Sequence, residues 1–239
     1  MKKAFFLTLL LTYNLKSYCC TSCNPQIRNA IFDSTFYPNL LTMLSAFIAL
    51  GVIVVILTWL ANKKYLARTS QAPNHELLSP VPLATASLVA GIGIGGFIDG
   101  VVFHQILQWH EMLSNVMPPA TLLAKSVNMF WDGIFHLFCL IVVIIGVVLL
   151  WKVSLKKQVD VSGKILVGGL LAGWGIFNIV EGIIDHQILK LHNVKELSPE
   201  PEIWNISFLA LSILMLIIGF LLINKRAKSF DKPYLSETR

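Results

Sequence analysis

The chain has 239 residues, 55% of them hydrophobic and 13% charged, with a mean hydropathy of +0.70 and a formal net charge of +6. Soluble globular domains carry about 25% charged residues, so this composition excludes an ordinary water-soluble fold and predicts an all-α, polytopic membrane protein embedded in a lipid bilayer. The basic residues fall between apolar runs, where membrane insertion needs them, and give no argument for a nucleic-acid partner.

The N-terminal stretch "MKKAFFLTLLLTYNLKSYCC" places Lys2 and Lys3 before a short apolar run, Ala4 to Tyr13, the layout of a signal peptide or short anchor over residues 1–19. Cys19, Cys20 and Cys23 follow, with Cys20 and Cys23 in a CxxC pair. In an oxidising exterior such a pair predicts a disulfide or a leftover thiol ahead of a metal site, and Asn24 stands where haem attachment requires histidine. Five apolar runs then have the roughly 20 residues a transmembrane helix needs: Leu40 to Leu60, Leu83 to Leu107, Val127 to Trp151, Ile165 to Leu189 and Ile203 to Ile223. Residues 20–80 therefore comprise the outer CxxC segment, the first transmembrane helix and a cytoplasmic loop. Residues 81–226 hold the other four helices, and 227–239 form a cytoplasmic tail.

Of 19 Lys and Arg, 14 lie at the N-terminus, between Asn62 and Pro80, between Lys152 and Lys164, or after Asn224. Cytoplasmic loops collect Lys and Arg, which predicts a cytoplasmic C-terminus. With that orientation His104, His110, His136, His186 and His192 fall in the outer half of the membrane or at its outer surface, and only His75 is cytoplasmic. Asp99, Asp132, Glu181 and Asp185 lie in the same half. A charged group at the bilayer centre costs at least about 2.5 kcal/mol, so such groups face a bundle interior, pair, or serve a function.

The phrase "DGVVFHQILQWH", Asp99 to His110, is echoed by "EGIIDHQILKLH", Glu181 to His192. The preceding "AGIGIGGFID" and "AGWGIFNIVE" align at the same offset, and "FWD" and "IIGVVLLWK" on the third span align with "IWN" and "IIGFLLINK" on the fifth. The last four spans thus read as a duplicated helical hairpin, a four-helix bundle with a pseudo-twofold axis along the membrane normal. Such an axis sets Asp99 opposite Glu181 and His104 opposite His186.

At about 100° per residue, Glu181, Asp185 and His192 share one helix stripe, and Asp99 and His110 share the corresponding one, with Phe103 in place of the second acid. On the same geometry His104 and His186 point about 140° away from the acids. Asp132 and His136 are four apart and share a face with Asn128 and Cys139. Gly91, Gly93 and Gly96 satisfy GxGxxG, but inside a membrane helix the pairs Gly91/Gly95, Gly96/Gly100 and Gly169/Gly173 read as close-packing contacts.

Carboxylate and imidazole together suit copper, zinc or iron, which makes Asp99, His104, His110, Asp132, His136, Glu181, Asp185, His186 and His192 candidate metal residues. Met112, Met117 and Met129 lie nearby and read as apolar filler ahead of soft ligands. Three other readings compete: haem held axially by His104 and His186, proton or ion movement along Asp99, Asp132 and Glu181, and polar groups that only join helix to helix. No serine or cysteine nucleophile motif is present, and no catalytic residue is assigned.

The stretches "GIGIGGFIDGVVFHQILQWHEML", "FWDGIFH" and "FNIVEGIIDHQILKLHNV" resemble a bacterial family of predicted membrane proteins, domain-of-unknown-function family 2243, over roughly residues 80–225. The resemblance implies a four-helix membrane domain and points towards metal handling or respiratory oxidase assembly, with an oxidase or metal-handling membrane protein as partner. Its matched positions here are Asp99, His104, His110, Asp132, His136, Asn178, Glu181, Asp185, His186 and His192.

Overall fold

The computed structural model describes residues 24–71, 79–156 and 159–230. The expected signal or anchor, the CxxC pair, His75 and the tail from residue 231 lie outside the described residues. Within them the chain forms six α-helices: α1 Pro25–Ile31, α2 Phe36–Gln71, α3 Val81–Asp99, α4 Leu122–Ser154, α5 Gly163–Glu181 and α6 Pro201–Phe230. α3 and α5 each run on without a break into a π-helical turn, Gly100–Ile106 and Gly182–Ile188.

The helix starts follow from short polar residues that accept from otherwise orphaned N–H groups. Asn24 accepts from Gln26 N ahead of Pro25, Thr121 accepts from Ala124 N, and Ser162 accepts from Lys164 N. Five helices are long and apolar enough to cross a membrane: Phe36–Leu60, Val81–Ile106, Leu122–Ser154, Gly163–Ile188 and Pro201–Asn224. Each overlaps one of the five apolar runs and extends it by a few residues.

α3 and α5 pack together at the centre, with α4 against α3 and α6 against α5. Glycine permits the central contact. A Cβ on Gly91 would lie 2.2 Å from the Leu170 carbonyl oxygen, and one on Gly173 would lie 2.0 Å from that of Leu88, so any side chain would force the helices apart. α4 and α6 are peripheral and expose Leu137, Ile144, Ile145, Leu211 and Ile217, an apolar surface suited to hydrocarbon. α1 and α2 close one side: Phe36 packs on Trp131, Phe47 packs on Phe135 and Phe138, and Met43, Ala46 and Leu50 are buried. At one end of the bundle a parallel bridge joins Ser79 to Val159, and at the other the loops after the π turns fold over the polar residues.

Candidate metal centre

Each π turn ends in the same way. Leu107 N donates to Val102 O at 2.8 Å and Leu189 N to Ile184 O at 2.7 Å, both five residues back. Gln108 and Lys190 then take left-handed backbone, φ 49° and 51°. For a non-glycine residue that region costs about 1–2 kcal/mol, and here it turns the chain back over the bundle. Trp109 N reaches Phe103 O, Leu191 N reaches Asp185 O, and His110 and His192 return to the interior.

The π geometry corrects the expectation that His104 and His186 point away from the acids. In an α-helix residues four apart share a face; with i→i+5 bonding, residues five apart do. His104 Nε2 lies 3.1 Å from Asp99 Oδ2. His110 Nε2 is 3.9 Å from the same oxygen, and His192 Nε2 is 3.9 Å from Glu181 Oε1.

Six buried residues supply converging donor atoms in three overlapping triads: His104, His110 and His192; Glu181, His186 and His192; and Asp99, His104 and Glu181. Within each triad the donors lie within 4.8 Å of one another. The rings are layered, His104 against His110 at 4.4 Å, His186 against His192 at 4.7 Å, and His110 parallel to His192 at 4.7 Å. Asp99 Oδ2 and His104 Nε2 face each other at 3.1 Å, whereas the Nε2 atoms of His110 and His192 and both nitrogens of His186 have no hydrogen-bond partner. Buried polar atoms are normally satisfied, so an assembly of bare donors asks for a ligand.

The far nitrogens are held. His104 Nδ1 bonds Asp132 Oδ1 at 2.9 Å, His110 Nδ1 bonds Val194 O at 2.9 Å, and His192 Nδ1 bonds Met112 O at 3.1 Å. A carbonyl can only accept, so Nδ1 of His110 and His192 carries the proton and Nε2 presents its lone pair to the cluster. Burial, reinforced by the neighbouring His104, holds His110 well below the ordinary imidazole range and His192 down to about 4. Both rings are therefore neutral near pH 7, the form that binds metal.

Asp132 also accepts from Met112 N at 2.9 Å, and Asn205 accepts from Val194 N at 2.9 Å. Met112 and Val194 are the residues whose carbonyls take the histidine protons, so each loop is fixed at both polar groups of one peptide residue. These carbonyls are the part of the site that side-chain reasoning missed. The repeat offset contained a signal, because Met112 and Val194 are 82 residues apart, as are His110 and His192.

Asp132 thus stands behind His104. His136 stands apart from the triads: its Nδ1 bonds Asp132 O in its own helix and its ring packs edge-on to Phe97. Asp185 is buried and borders, with Glu181, a small cavity walled by Ala46, Phe47 and Leu50 of α2 and by Phe135, Phe177 and Val180. Asn178 is buried one turn before Glu181. Cys139 is a buried free thiol beside Gly96, in none of the triads, and Met129 is exposed. Glu111 is buried beside Lys125, with burial raising its carboxyl above the usual range against the pull of that lysine.

Residues 86–226 match the model of a family described as "Predicted membrane protein (DUF2243)". No curated protein and no solved structure matches the chain.

Proposed function

We propose, from the premise that the chain belongs to the DUF2243 family of predicted membrane proteins, that it binds a transition metal in a His/carboxylate site opening towards the outer face of a bacterial inner membrane. One observation carries this reading. Three histidines have Nδ1 engaged by a carboxylate or carbonyl, and each offers a donor to a buried triad whose donors lie within 4.8 Å of one another. This is how proteins orient imidazole for metal, with the outer partner fixing tautomer and ring angle. Nitrogen and oxygen donors without thiolate suit copper(II), zinc or iron.

The orientation rests on lysine and arginine placement, which puts the C-terminus in the cytoplasm and the cluster at the outer end. Internal duplication is supported by equivalent features 82 residues apart: the π turns, the left-handed Gln108 and Lys190, and the reciprocal bonds of His110 and His192. Metal handling or respiratory oxidase assembly is the role we favour, with an oxidase or metal-handling membrane protein as partner, and we assign no catalytic residue. The haem reading has less support, because the rings of His110 and His192 fill the space beside His104 and His186 that a porphyrin would need. Helix-joining alone accounts for His104 between Asp99 and Asp132, but leaves both nitrogens of His186 and the Nε2 atoms of His110 and His192 without partners.

The test is to purify the full chain in detergent, measure bound metals and record a visible spectrum. Stoichiometric copper, zinc or iron without a Soret band, lost in the His110→Ala/His192→Ala variant, is the expected result. A Soret band lost in His104→Ala or His186→Ala would replace this reading with haem. No metal retained after incubation with copper(II), zinc(II) or iron(II) would overturn it.

A further inference from the structure

The donors are too spread for one ion. Six residues contribute, and they fall into three overlapping triads rather than one set. They also sort by position in the chain. Asp99, His104 and His110 come from the first π-turn half, and Glu181, His186 and His192 come from the second, each 82 residues from its counterpart.

Resting on the metal reading above, we propose that the site holds two divalent ions, one served by Asp99, His104 and His110 and the other by Glu181, His186 and His192. The contacts group in this way. Asp99 Oδ2 lies 3.1 and 3.9 Å from the Nε2 atoms of His104 and His110. Glu181, His186 and His192 form a triad of their own. The other two triads, His104, His110 and His192, and Asp99, His104 and Glu181, join the two sets, and the latter places a carboxylate from each half at their boundary, between ions that in two-metal sites lie about 3.5–4 Å apart.

The two places are unequal. His104 is steered by Asp132, whereas neither nitrogen of His186 has a partner. Loss of such an outer partner weakens metal binding by about 10–100-fold, so the ion of the second half is the looser one.

The experiment loads the full-length protein in detergent with zinc(II), removes free metal, and measures zinc per chain. Two equivalents are expected, with one kept in Glu181→Gln/His186→Ala and one kept in Asp99→Asn/His104→Ala. A chelator series on the wild type should remove the ions in two stages. Copper(II)-loaded wild-type protein gives a second readout that needs no variant: spin-coupled electron paramagnetic resonance is expected from adjacent ions. A single equivalent with an uncoupled copper spectrum would overturn the two-ion site while leaving the metal reading intact. Absence of any bound metal would overturn both.

Discussion

Asp132 on α4 and Asn205 on α6 both hold the loop above them, through Met112 N and Val194 N, yet only the carboxylate also reaches a histidine ring. Asn205 instead spends its amide on Asn193 and Glu202, and His186 keeps two bare nitrogens. Phe103 and Asp185 differ in the complementary sense: the first half packs an aromatic ring on Trp109 where the second buries another acid. One backbone plan therefore carries two unequal surroundings: a carboxylate steers His104 and none steers His186, while a further buried acid, Asp185, stands where the first half has Phe103. Shared geometry fixes where the donors sit, and single substitutions decide how firmly.

The comparison breaks most completely if the two loops lose their histidines together. In the His110→Ala/His192→Ala variant bound metal should fall to background by elemental analysis, since these are the rings whose tautomers are fixed across the halves. Asp132→Asn should make the first half resemble the second. Zinc affinity there should drop about 10–100-fold in a competition titration with a chromophoric chelator. Gly91→Ala tests the contact that keeps the halves together. Its added carbon meets the Leu170 carbonyl, and apparent stability in detergent should fall by about 1–3 kcal/mol by thermal unfolding.

Acid should act through His192 in the metal-free protein. Its native pKa of about 4 lies below the ordinary 6.5, so between these values the unfolded chain binds more protons. Stability should be full above pH 6.5 and decline by about 3 kcal/mol as the pH falls towards 4, followed as melting temperature against pH. The smallest effect belongs to His136→Ala, which should leave zinc stoichiometry unchanged because that ring bonds its own helix and joins no triad.

The apolar runs make the five spans legible, and repetition of Asp/Glu–His–His makes the donors legible. What the sequence concealed was helical pitch. A wheel drawn at one angular step placed His104 and His186 away from the acids, whereas the π turns bring His104 within 3.1 Å of Asp99. "GVVFHQI" and "GIIDHQI" contain no residue that demands a π turn. The outer partners are half legible: Asp132 is an intramembrane acid and stands out, but Met112 O and Val194 O belong to the backbone, which every residue carries alike.

The crossed bonds over the site, His110 to Val194 O and His192 to Met112 O, have a consequence in time. Neither loop can lift without releasing the histidine of the other half, and Asn115 N to Leu191 O and Glu196 N to Trp109 O add two further crossings. Departure of anything held beneath is thus a concerted event, with many hydrogen bonds broken at once, rather than the fraying of one segment. Slow exchange with the surroundings follows from this latch, whatever the equilibrium affinity of the donors below it.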